Sequence, residues 1–252
     1  MSEFVPFPAA PARPLAGRVI VLTGAHGELG QAAALACARA GARLVLLGRK
    51  VPKLNRVYDA VKALGPEPAL YPIDLAGADP SDYETLADTV ERELGGLHGI
   101  LHTAADFAGL TPLENTPPEQ FARQWQVNLT ARWFLTQACL PALRRAGDSA
   151  VVFVVDAPER VGGAYWGAYG LAQQANQGLM RMLHEETAAS SVRVAALQPG
   201  PMRGALRARA FVDEAALRVP AAAAYAAACV SLLSPEGRVH RGTVHAPSPA
   251  SE

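Results

Sequence analysis

The run Thr23-Gly24-Ala25-His26-Gly27-Glu28-Leu29-Gly30 has the residue types and spacing to hold a diphosphate. Four apolar residues, Val19 to Leu22, precede it as a short buried strand. After it, apolar residues recur at Leu29, Ala32, Ala33, Ala36, Cys37 and Ala40, a pattern that predicts a helix with one buried face. Strand, glycine turn and helix together open a dinucleotide-binding unit. The helix N-terminus offers unpaired N–H groups and a favourable dipole, and glycine lets the backbone approach the phosphates without a Cβ in the way. Gly24, His26, Gly27, Glu28, Leu29 and Gly30 are therefore candidate cofactor contacts. The same residues also suit a tight strand-to-helix turn with no ligand.

The elements that would position this turn follow in alternation. A second strand over 42–48 leads at once into Arg49 and Lys50, with a helix over 52–64 beyond. An acidic residue at that turn favours a free ribose 2′-hydroxyl and an arginine favours a 2′-phosphate, so Arg49 points to NADP(H) over NAD(H). The other reading of Arg49 is an exposed charge that opens the next helix. A third strand, 69–74, ends in Asp74-Leu75; a helix over 80–94 is closed by Gly95-Gly96; a fourth strand covers 99–105. A long helix over 119–140 carries Asn128, and a fifth strand covers 150–155. A second long helix covers 165–185, and a sixth strand over 192–197 ends before Pro199-Gly200. Residues 201–219 suit a mobile lid, 220–233 a helix and 243–246 a short last strand. Strands alternating with helices require a parallel sheet with right-handed crossovers. We expect one such domain over 15–252, after a proline-rich arm, 1–14, that is either mobile or docked through Phe4 and Phe7.

Composition narrows the function classes. Half of the 252 residues are apolar and 18% are charged, which suits a sheet buried on both faces. Lys+Arg and Asp+Glu are both 23, and no basic block suggests nucleic acid or an anionic membrane. No apolar run approaches membrane-span length and no signal-peptide pattern opens the chain, so a cytoplasmic protein is expected. Cys37, Cys139 and Cys229 lie far apart in apolar helical contexts and read as core packing. The six histidines show no metal spacing, and His98, His184, His240 and His245 read as surface or supporting residues.

Read along its whole length, the chain resembles the short-chain dehydrogenase/reductase family over about residues 15–247. Thr23, Gly24 and Gly30 match the family's opening, whereas Glu28 stands at its middle glycine. Asp74-Leu75 matches its cofactor-side pair, Asn128 its helix asparagine and Pro199-Gly200 its Pro-Gly, without the usual threonine shortly afterwards. His102-Thr103-Ala104-Ala105 stands where the family has Asn-Asn-Ala-Gly. Tyr169 matches the family's active-site tyrosine, but the lysine four residues on is Gln173 and the serine of the fifth strand is Asp156. The resemblance implies an α/β, Rossmann-like doubly wound parallel sheet of order 3-2-1-4-5-6-7 with helices on both faces. It also implies hydride transfer between NAD(P) and a carbonyl or alcohol carbon, and homodimers or homotetramers formed through helices 119–140 and 165–185. The implied site residues are Tyr169, Asn128, Asp156 and Gln173 for chemistry, with Arg49, Asp74, Leu75, Thr103, Ala104, Pro199 and Gly200 joining the glycine turn at the cofactor.

The departures have physical consequences. A free tyrosine has a pKa of about 10, so about one in a thousand is ionised at pH 7. The family's lysine makes the phenolate accessible, and neutral Gln173 cannot. A carboxylate at Asp156 acts the other way, costing a phenolate roughly 5 Å off about 3 kcal/mol. Alcohol oxidation is thus disfavoured, whereas reduction uses Tyr169 in its protonated form, with Gln173 still able to hydrogen-bond a ribose hydroxyl. Glu28 brings a Cβ and a charge towards the diphosphate and weakens nucleotide binding, or else favours the helix dipole and faces solvent. His26 and His102 read as polar rim residues of the site, Tyr165 and Trp166 as its wall or a subunit contact. The chain is expected to be a slow or atypical NADP(H)-dependent reductase of an unknown small carbonyl compound. The alternative is a non-catalytic nucleotide-sensing, ligand-binding or scaffolding protein on the same fold.

Overall fold

The computed structural model describes residues 13–212 and 219–249. Phe4, Phe7 and almost all of the expected arm lie outside them, as does part of the expected lid. Seven strands form one sheet: β1 Val19–Thr23, β2 Arg43–Gly48, β3 Ala69–Pro72, β4 Gly99–His102, β5 Ser149–Val154, β6 Val192–Leu197 and β7 Val244–His245. Their order is β3-β2-β1-β4-β5-β6-β7, and every neighbouring pair is parallel. The central strand β1 pairs with β2 from Val19↔Arg43 and with β4 from Ile20↔Gly99. The strand order reverses between β1 and β4, and such a reversal opens a crevice at the carboxyl ends of the strands.

Alternation along each buried strand sends side chains into two cores. Ile20, Leu22, Leu44, Leu46 and Leu101 pack under α1 (Glu28–Arg39), α2 (Val51–Lys62) and the late helix Ala226–Leu233. Val19, Val21, Val45, Leu47 and Ile100 face the opposite way. That face is covered by α3 (Pro80–Leu94), by a broken helix over 118–145 and by the long helix Gly167–Glu186. Local chemistry fixes the ends of α3: Asp79 accepts from Ser81 N at 2.7 Å, Asp82 accepts from Asp79 N at 2.9 Å, and Gly95 closes the helix at φ +79°. Cys37, Cys139 and Cys229 are free and buried, and burial pushes the Cys139 and Cys229 thiols up to about 12. At the amino ends of the strands, Asp148 ties Arg18 at 3.0 Å and also pairs with the buried Arg193.

Several boundaries differ from the sequence expectation, each for a visible reason. β4 stops at His102 rather than Ala105, because the next residues turn to β1 through side chains. Thr103 Oγ1 donates to Thr23 O and Ala104 N donates to Thr23 Oγ1 at 3.2 Å. The helix expected over 119–140 is three pieces: α4 Pro118–Trp125, a π-helical turn Gln126–Thr130 and α5 Ala131–Arg145. A short helix, α6 Pro158–Val161, follows β5 and was not expected. The helix expected from 165 begins at Gly167 as α7. Tyr165 is held at φ +75°, outside the helical region, while its carbonyl accepts from Thr111 N at 3.0 Å. Within the lid, α8 covers Ala205–Ala210. The helix expected over 220–233 opens as a 3-10 turn, Ala222–Tyr225, before α9 Ala226–Leu233. Among the described residues no helix is long and apolar enough to cross a membrane, and no three His, Cys, Asp or Glu side chains group to hold a metal.

Candidate active site

A cleft of about 330 Å³ runs along the carboxyl ends of β1, β2, β4 and β5, beneath the lid. One end is the glycine turn. Gly24 sits at φ +66°, and a Cβ there would lie 2.7 Å from the Cα of Ala104, so only glycine lets the turn meet the loop after β4. Gly30 is equally constrained, since a Cβ would strike the carbonyl of Gly24. Gly27 caps α1 without a side-chain bond, which leaves the first-turn amides of this twelve-residue helix to the cleft. Gly48, Arg49, Asp74 and Leu75 line the cleft beside them, while Lys50 belongs to the start of α2. Asp74 Oδ1 accepts from Ala76 N at 3.1 Å, which orients the carboxylate at the end of its loop. His26 also lines the cleft, with Nδ1 buried and unpartnered. Burial and the nearby Lys53, Lys50 and Arg49 hold its pKa below the ordinary value, so the ring is neutral at pH 7.

At the other end stands Tyr169, buried on the first turns of α7. Its hydroxyl donates to Asp156 Oδ2 at 3.4 Å. Asp156 is not the isolated carboxylate expected from the sequence. Its Oδ1 accepts from Arg160 Nη1 at 2.7 Å and from Ala157 N at 2.9 Å, because α6 places Arg160 one turn on. Gln173 is buried, and its Oε1 accepts from Asp156 N at 3.2 Å, which locks the acid's backbone to α7. Desolvation, followed by the Asp156 charge, pushes the phenol far above the ordinary tyrosine value, with Arg132 and Arg160 acting the other way. Tyr169 is therefore a protonated phenol throughout the physiological range, an acid and not a base.

Two further placements correct the sequence reading. Asn128 does not reach the cleft. Its Oδ1 accepts from Asp106 N at 2.8 Å and its Nδ2 donates to Asp106 O at 2.7 Å, within the π-helical turn. Its own carbonyl accepts from Asn176 Nδ2 at 2.8 Å, so Asn128 fastens the loop after β4 to α7. His102 is no rim residue. It is wholly buried in β4, stacked on Phe153 at 4.9 Å, with Nε2 and Thr136 Oγ1 2.9 Å apart. The loop that Asn128 holds brings Phe107 against Trp166 and Tyr169, both at 5.2 Å between ring centroids. Phe211, from beyond α8, completes this aromatic wall at 6.2 Å from Trp166. Trp166 thus shapes the site, while Tyr165 lies in the outer surface, 57% exposed.

The lid is joined to both ends of the cleft. Arg209 Nη1 donates to Phe107 O at 2.7 Å, and Tyr225 Oη donates to Pro201 O at 3.2 Å beside Gly200. Glu28 Oε1 accepts from Ala205 N at 3.0 Å, so this carboxylate spans from α1 to the first residue of α8. Thr103, Ala104, Pro199 and Gly200 line the cleft. The site residues that sequence reasoning missed are Arg132, Arg160, Phe107, Arg209 and Phe211. One signal was present for Arg132. Gln124, Asn128, Arg132 and Thr136 recur every four residues and are all buried, a polar stripe on a helix that otherwise packs against the sheet.

The cleft fits a dinucleotide by its uncapped helix start, its two glycines that admit no side chain and the acidic and basic residues after β2 and β3. Glu28 is the departure, a carboxylate lying beside the diphosphate cradle. Residues 18–215 match the family model for short chain dehydrogenases, and the chain belongs to that family. It is 34% identical to the uncharacterized oxidoreductase YciK of Escherichia coli K12 over 198 residues, 78% of each chain. A short chain dehydrogenase structure from Pseudomonas syringae is 38% identical, with a TM-score of 0.90 over 94% of this chain and 97% of that one. One from Escherichia coli CFT073, complexed with NADPH, is 31% identical with a TM-score of 0.90, covering 95% of this chain and 100% of that one.

Proposed function

We propose that the protein is an NADP(H)-dependent reductase of a small carbonyl compound. The observation that carries this reading is the Tyr169 phenol, which faces the cleft and is held protonated by burial and Asp156. The α1 amides and the glycine turn would hold the diphosphate, Asp74 and Leu75 the adenine side, and Arg49 the 2′-phosphate that distinguishes NADP(H). Gln173 would reach the nicotinamide ribose through its Nε2, since its Oε1 is used by Asp156 N. When bound, the reduced dinucleotide supplies a hydride to the carbonyl carbon. The chain supplies the proton: Tyr169 gives it to the substrate oxygen as negative charge develops there, and an alkoxide is a stronger base than a phenolate. Alcohol oxidation would need the phenolate at the start, and this site disfavours it. The relative from Escherichia coli CFT073 was solved with NADPH, in line with the cofactor choice. Phe107, Trp166 and Phe211 favour a substrate with an apolar or aromatic body.

Titration calorimetry with each dinucleotide tests the reading. NADPH should bind more tightly than NADH, by roughly tenfold for one charge-assisted contact, and Arg49→Ala should remove the difference. Equal affinities would remove the NADP(H) assignment. Binding without consumption of NADPH across a broad carbonyl panel would instead favour the nucleotide-sensing alternative.

A further inference from the structure

Arg132, on the first turn of α5, is 3% exposed and lines the cleft with Tyr169 and Gln173. Its Nη1 donates to Val154 O at 2.8 Å and its Nη2 donates to Ala104 O at 3.0 Å, while Nε is buried without a partner. Those carbonyls orient the guanidinium between the ends of β4 and β5 but neutralise no charge. Among the described residues no carboxylate pairs with it. A buried cation left this way is costly unless an anion answers it during function. Burial pulls Arg132 down to about 10, so it remains charged at pH 7, and its attraction to Tyr169 acts against that fall. It also helps hold the adjacent His102 neutral, so one cation and not two stands behind the cleft.

Among the described residues three charged groups act on Tyr169, one from each neighbouring segment: Asp156 after β5, Arg160 on α6 and Arg132 on α5. Arg160 is committed to Asp156 at 2.7 Å, and its pull on the phenol is the weakest of the three, so it leaves the Asp156 charge largely unanswered there. Arg132 is the stronger of the two cations that favour the phenolate. We propose that Arg132 is a positioning residue that supplies, from α5, the positive charge that Gln173 lacks, and so stabilises the Tyr169 phenolate formed during reduction. In that step the Tyr169 O–H bond breaks and a new O–H bond forms on the substrate oxygen. The electron pair stays on Tyr169, the carbonyl carbon takes the hydride of the reduced dinucleotide, and Arg132 keeps all its protons. The direction of the step rests on the reductase reading; the electrostatic coupling does not.

The coupling can be read without cofactor or turnover. A trifluorotyrosine placed at position 169 of the full chain brings the phenol into a range that fluorine NMR can titrate. We expect Arg132→Met and Arg132→Gln to raise its apparent pKa by about 1 unit or more, a tenfold loss of phenolate at fixed pH. Arg132→Lys should restore most of it. Arg132→Gln keeps a donor for Ala104 O, so it remains informative if the methionine variant does not fold. An unchanged pKa in a folded neutral variant, or a lysine variant that behaves like glutamine, would overturn the proposal. A protein that binds but never oxidises NADPH would remove the reductase reading and leave this titration result standing.

Discussion

At the scale of the residue, the site is governed by how its charges are paired. Asp156 beside the phenol suppresses its ionisation even though Arg160 and the Ala157 amide share its Oδ1. Restoring the family's side chains tests this arrangement. Gln173→Lys adds a charge that Asp156 intercepts, and Asp156→Ser frees Arg160 but leaves the phenol without a dedicated lysine. The double variant should therefore raise NADP⁺-dependent alcohol oxidation by more than the product of the single changes, measured as kcat/KM on a panel of alcohols. A multiplicative result would mean that the two positions act independently. Asp156, Tyr169 and Gln173 were legible in the sequence because fixed linear spacings on one strand end and one helix carry them. Arg160 was not, since its role depends on a four-residue helix that no local pattern announced, and Arg132 was signalled only by the recurrence of polar residues at 124, 128, 132 and 136.

His102 offers a pH-dependent readout at the same scale. Burial, then Arg132, holds its imidazole pKa well below the ordinary value, so it is neutral in the fold and protonates when the chain unfolds in mild acid. The unfolded state binds more protons below about pH 6.5, and stability is lost as pH falls from there towards the depressed folded value. One such group contributes a slope of at most about 1.4 kcal/mol per pH unit. Urea midpoints between pH 5 and 7 should show a shallower acid loss for His102→Gln than for the unsubstituted chain. Identical pH dependences would contradict the buried neutral state.

At the scale of the element, two irregularities build the site. The π-helical turn Gln126–Thr130 carries Asn128, whose amide grips both backbone groups of Asp106 and so places Phe107 against Tyr169. The sequence reading placed one helix over 119–140 and missed the break, because a single π turn barely disturbs a helical period. β4 was over-extended for a related reason: Thr103 and Ala104 are composed like a strand, yet their bonds go to Thr23. Residues 201–219 were expected as a mobile lid, and α8 within them is joined to Glu28 across the cleft. That contact places a carboxylate beside the diphosphate cradle. Glu28→Gly should tighten NADPH binding, roughly two- to fivefold, the effect of one charge at a helix N-terminus. Calorimetry decides this, and weaker binding in the variant would mean that Glu28 helps to order the lid over the cofactor.

At the scale of the whole molecule, the sheet order was read from family resemblance, and its physical basis is the alternation of buried strands with amphipathic helices. The reversal between β1 and β4 then puts the glycine turn, the loop held by Asn128 and the Asp156 strand end around one crevice. The outer faces of the broken helix and α7 leave Phe121, Trp133, Leu171 and Met182 exposed, each more than 40%. A second copy of the chain would cover them, and light scattering at micromolar concentration should report a dimer or tetramer; a monomer alone would refute this.

The most direct test of the reductase reading follows the hydride and the proton donor together. The protein is incubated with NADPH deuterated at the transferable position and a panel of apolar ketones and aldehydes, and the alcohols are analysed by mass spectrometry. The expected result is deuterium in at least one product alcohol with the unsubstituted chain, and a loss of roughly a hundredfold or more with Tyr169→Phe, as for removal of a general acid. Deuterium transfer that persists in Tyr169→Phe, or none from a chain that binds NADPH, would contradict it.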